Sequence, residues 1–188
     1  MAILILGIFV FGLPHLLSIF FPAVRDRLMA RFGEGGYKGI FSLVSGLGFV
    51  AMVVGYWMTR NDGAMFYIPA EGARHATIGL ATLGMILIAA GQGKSHLRLW
   101  LQNPFSIGIA LWSIGHLIGV GKQPVVLFYL TLLVIALADV LFSMLRGKRP
   151  DYAPTWRSDI IAVVSGLVVA GLLAALFHPY VLGVNVLN

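Results

Sequence analysis

Six apolar runs, each close to the thickness of a bilayer, fill nearly the whole of this 188-residue chain. A helix crossing the hydrocarbon core needs about 20 largely apolar residues, and it must satisfy every backbone N–H and C=O within itself. The runs fall near Ala2 to Phe21, Gly39 to Met58, Ala73 to Gly91, Phe105 to Val120, Val125 to Leu145 and Ser158 to Leu182. Only 11% of the residues are charged and the mean hydropathy is +0.92, which excludes a soluble globular fold. The connections are too short for a second domain. Residues 1–188 are therefore expected to form one integral membrane domain, an all-α polytopic helix bundle of about six transmembrane helices.

A net charge of +6 would point to nucleic acid in a soluble chain; here it is a statement about topology. Arg25, Arg27, Arg31 and Lys38 follow the first run, Lys94 and Arg98 the third, and Arg146, Lys148, Arg149 and Arg157 the fifth. Arg60, Arg74 and Lys122 are all that the other side keeps. The positive-inside rule then places both termini outside the cytoplasm, and the expected partner is the lipid bilayer with no nucleic acid. The first run lacks a basic leader and an Ala-x-Ala type site, so it reads as a retained helix. Cysteine is absent, which removes disulfides, thiolate ligands and iron–sulfur clusters together. Redox chemistry in such a chain must come from a bound cofactor.

Helices associate in lipid where small residues let backbones approach. Ala162, Gly166, Ala170 and Ala174 form such a stripe in the sixth run, continuing to His178, and this stripe would also permit a dimer. Gly46 with Ser42, and Gly108 with Gly115 and Gly119, form weaker versions. Trp57, Trp100, Trp112, Trp156 and Tyr67 lie mostly near the expected interfaces, as an aromatic belt does.

The five histidines differ in weight. His96 lies in a basic loop, solvated or near lipid phosphates. His15 follows Pro14 well inside the first run, and His116 shares a helical face with Gly108, Ile109, Trp112, Ser113 and Gly119. An ionisable group at such depth faces a bundle interior and finds a partner. For each, the plain alternative to a ligand role is an interhelical hydrogen bond worth about 1 kcal/mol. His75 and His178 are lower-weight candidates at the outer ends of the third and sixth runs. The topology sets His75, His116 and His178 near one membrane face, with His15 about 20 Å along its own helix. A tilt of the first helix, which reaches about 40° in known proteins, would reduce that mismatch. Asp139, the one acid within an apolar run, reads as a partner for a loop cation such as Arg146.

The run Gly-Leu-Pro-His15-Leu-Leu, then Arg25-Asp26-Arg27-Leu and Gly33-Glu34-Gly-Gly-Tyr37-Lys-Gly-Ile-Phe41-Ser42, resembles the N-terminal signature of the NnrU family. Asn103-Pro104 through Leu111-Trp112-Ser-Ile-Gly-His116-Leu, followed by Asp139 and the basic Arg146 to Arg149, is similar to its second signature. The resemblance covers nearly the whole chain. It implies a multi-pass protein of the bacterial inner membrane, associated with denitrification and so with nitrite and nitric oxide metabolism. The related 15-cis-zeta-carotene isomerase of plants and cyanobacteria binds haem b, with axial histidines at the positions of His15 and His116 here. The resemblance thus implies a haem b held by His15 and His116.

Two departures from the pattern bear on chemistry. Ser113 stands where that relative has a cysteine, so a thiolate ligand is ruled out, and Asn103 replaces the histidine of a His-Pro string. No catalytic residue is identified. Three classes stay open: a haem-binding accessory protein, a haem-dependent isomerase of a polyene or carotenoid-like lipid, and a haem-free assembly or transport partner of denitrification reductase components.

Overall fold

The structure, a computed structural model, describes residues 1–147 and 149–186; Lys148 of the third basic loop lies outside them. The described residues form seven α-helices: α1 (Ala2–Phe20), α2 (Pro22–Thr59), α3 (Ala73–Ala90), α4 (His96–Leu101), α5 (Pro104–Gly119), α6 (Gln123–Leu145) and α7 (Trp156–Leu172). α7 continues directly into a π-helix, Leu173–Leu182. The expected all-α class holds, with no strand among the described residues beyond an isolated bridge between Met65 and Lys122.

Five of these segments are long and apolar enough to cross a membrane. α5, expected as a sixth span, has 16 residues, about 24 Å at 1.5 Å per residue, which is short of a hydrocarbon core of about 30 Å. α2 is longer than expected because helix begins at Pro22, whose ring suits a first turn. Gly33 breaks it with φ 72° and ψ 162°, a conformation that a β-carbon would disfavour. The break separates a segment carrying Arg25, Arg27 and Arg31 from the apolar span. Leu43, Leu47 and Val50 on α2, and Val164, Leu167 and Val168 on α7, are exposed, as side chains solvated by lipid would be.

The chain divides into two compact units, each described here by itself. The first comprises Met1–Ile68 with Val120–Phe142, and the second Pro69–Gly119 with the chain from Ser143 onward. In the first unit α1 runs antiparallel to α2. Gly7 meets the backbone at Ala51 and Met52, Gly48 meets Val10 and Phe11, and Gly55 meets Leu4, so a β-carbon at any of the three would collide with main chain. Buried Ser45, Gly48, Met52, Gly55 and Thr59 recur at alternating intervals of three and four. This is the seam of two closely packed helices. Gly46, expected to pack, meets nothing within 4 Å. α6 completes the unit through Phe128 beside Phe49 and Tyr56, and through Phe142 edge-on to Phe20 at 4.8 Å.

In the second unit α3 is central. Gly84 and Gly108 bring it against antiparallel α5, and Gly166 brings α7 against Ile86. The small-residue stripe of the sixth run is therefore committed, at Ala162 and Gly166, to packing within the chain. The loop joining α3 to α4 is pinned as well. The Asp159 carboxylate accepts the backbone N–H groups of His96 (3.1 Å) and Leu97 (3.2 Å) and pairs with His96 Nδ1 at 2.6 Å. The Tyr152 hydroxyl donates to the Ser95 carbonyl at 2.9 Å. Burial pushes that phenol above the usual tyrosine range, so it remains a donor throughout neutral pH.

Candidate functional site

Three histidines of the apolar segments share one local geometry. His15 Nδ1 lies 2.7 Å from the Phe11 carbonyl, His116 Nδ1 2.8 Å from the Trp112 carbonyl, and His178 Nδ1 2.7 Å from the Leu173 carbonyl. A carbonyl only accepts, so each Nδ1 carries the proton and each Nε2 carries the lone pair. A metal-binding imidazole has the same division of labour, with one nitrogen fixed by a hydrogen bond and the other left to ligate.

His15 belongs to the first unit. Phe11 covers it at 4.3 Å between ring centres and Phe41 at 4.9 Å, while Ser18, one turn on, shares a 2.8 Å hydrogen bond with the Tyr37 hydroxyl. Asp139 of α6 acts on the His15 ring electrostatically.

His116 belongs to the second unit, beside a small, partly open cleft of about 70 Å³. α3 supplies Thr77, Ile78 and Ala81, α5 supplies Trp112 and His116, and the sixth run supplies Ala170, Ala174 and His178. The small residues of the stripe that do not pack against α3 thus open space beside two imidazoles. Thr77 sits at the edge, its hydroxyl 2.9 Å from both the Ala73 and Gly115 carbonyls, which ties α3 to α5. Trp112, on the helical face expected to be shared with His116, stands edge-on to it at 5.2 Å as part of the wall.

His178 reaches the cleft through the π-helix. Its Nδ1 donates five residues back, and Pro179, which has no N–H to give an α-helical ladder, follows it directly. Its ring centre is 6.2 Å from that of His116, with the ring planes 22° apart. The sequence marks this position only by a His-Pro pair inside an apolar run. α-Helical periodicity does not foretell the π register that turns His178 onto His116.

The other candidates lie elsewhere. His75 is exposed on the first turn of α3 and does not line the cleft. His96 stacks on Trp156 at 4.3 Å and closes the Asp159 cluster, a structural role with more order than a solvated loop residue has. Ser113 is fully buried, with no hydrogen-bond partner for its hydroxyl among the described residues, and does not line the cleft.

Among the described residues, no group of three or more His, Asp or Glu side chains converges as a metal cage. A cofactor that brings most of its iron's ligands with it asks less of the protein, namely one or two imidazoles and an apolar slot.

Five helices long and apolar enough to cross a bilayer, with two imidazoles lining an apolar cleft, fit the class of multi-pass membrane proteins. More particularly, the chain belongs to the NnrU family: the family model described as NnrU protein matches residues 3–186. No curated protein and no solved structure matches it.

Proposed function

We propose that this protein binds haem b within the bilayer, with His116 as an axial ligand, and that it serves nitrite and nitric oxide metabolism in the bacterial inner membrane. The observation that carries the reading is the setting of His116. Its Nδ1 proton is tied to the Trp112 carbonyl, its Nε2 bears the lone pair, and the cleft beside it is walled by Trp112, Ala170 and Ala174. Flat apolar cofactors suit such a wall, because small residues make room and large ones exclude water.

Bound haem would supply a one-electron centre. The chain's own residues hold its ligand tautomers through backbone carbonyls, and the apolar surroundings set the potential by excluding water. With two imidazoles bound, the iron suits electron transfer or sensing better than turnover.

Detergent-purified protein, expressed with ample haem, should show a Soret band and the b-type pyridine haemochrome. His116→Ala should lower bound haem at least tenfold, whereas His96→Ala should leave it unchanged. A colourless wild type that co-purifies with a reductase subunit would favour the haem-free assembly role instead.

A further inference from the structure

The haem reading leaves open which side chain stands opposite His116, and the second unit contains its own answer. We infer that His178 is the second axial ligand, an assignment that rests on the haem reading and deepens it. Two imidazoles that bind one iron from opposite sides, at metal–nitrogen distances of about 2.0 Å, hold their ring centres about 6.3 Å apart. His116 and His178 stand at 6.2 Å. Both rings have Nδ1 committed to a carbonyl of their own helix, so both bring Nε2 to the metal without a change of tautomer. Both line one cleft, and both sit at the same end of the antiparallel helices that frame it.

The backbone at His178 gives a second, independent reason. π-Helix is rare, and where it interrupts an α-helix it is frequently at a functional site. Here it extends over Leu173–Leu182, from the residue that accepts the His178 Nδ1 proton to the turn at Gly183. Pro179 makes a regular α-helix unfavourable at this point. Arg74 Nε donates to the Val186 carbonyl at 3.0 Å and ties the chain beyond the π-helix back to the start of α3. The segment is thus anchored on both sides of the ligand, as a fixed coordination site needs. On this assignment the iron belongs wholly to the second unit, and His15, between Phe11 and Phe41 and under the influence of Asp139, serves another purpose.

The test uses the full chain in detergent, reconstituted with haem b and read by absorption and electron paramagnetic resonance. Wild type should be low-spin and six-coordinate. His178→Ala should retain haem on His116 but turn high-spin, and added imidazole should restore the low-spin spectrum. His178→Met, which keeps a donor of similar volume, should stay low-spin and gain a thioether-to-iron charge-transfer band even if the alanine variant does not fold. His15→Ala should leave the wild-type spectrum intact. A low-spin spectrum unchanged in His178→Ala, a methionine variant without the new band, or a high-spin His15→Ala overturns the assignment while leaving haem binding in place. A wild type that takes up no haem removes both.

Discussion

An imidazole in an apolar segment has to dispose of one proton and one lone pair, and this chain solves the first problem identically three times. The sequence makes His15 and His116 visible because each interrupts an apolar run, and their Nδ1 contacts fall four residues back, at the distance an α-helix dictates. His178 was legible as a candidate but not as a neighbour of His116, since its contact falls five residues back. His96 illustrates the converse: nothing in a basic loop distinguishes a solvated histidine from one held by an acid 63 positions away. The Asp159 carboxylate is the clearest residue-scale target outside the cleft. Asp159→Ala strands two backbone N–H groups and the His96 ring, and hydrogen bonds to a charged group contribute about 1.5–3 kcal/mol each when lost. With two such bonds lost, we expect this substitution to destabilise the second unit by about 3 kcal/mol or more, seen as a lower unfolding midpoint in detergent; an unchanged midpoint would show the cluster to be incidental.

At the level of elements, the six apolar runs all appear as helix, because length and composition alone decide whether a segment can satisfy its backbone in lipid. What composition cannot give is which glycines face a partner. Gly46 and Gly48 are two residues apart and so lie on different sides of α2; only Gly48 falls on the seam with α1. Gly48→Ala should therefore drive α1 and α2 apart and reduce the yield of monodisperse protein severalfold. Gly46→Ala should be neutral or should stabilise by up to about 1 kcal/mol through helix propensity. Equal behaviour of the two variants in a size-exclusion and thermal-unfolding comparison would contradict the antiparallel seam. The length of α2 was also hidden, because its first turns are charged and only Gly33 marks where they end. The stripe Ala162 to Ala174 carried more information than its spacing revealed, packing α7 on α3 at one end and clearing space beside His116 at the other.

For the molecule as a whole, ten of the 13 Lys and Arg residues collect on three connections, and His15, His116 and His178 lie in the apolar segments. Such a division suits the proposed reading, in which the apolar segments and not the loops would hold a cofactor. The central proposal is that the apolar segments hold haem b. The most direct measurement is a pyridine haemochrome titration against protein concentration for the purified wild type. The account predicts a b-type spectrum at close to one haem per chain; a chain that remains colourless after reconstitution with excess haem would contradict it.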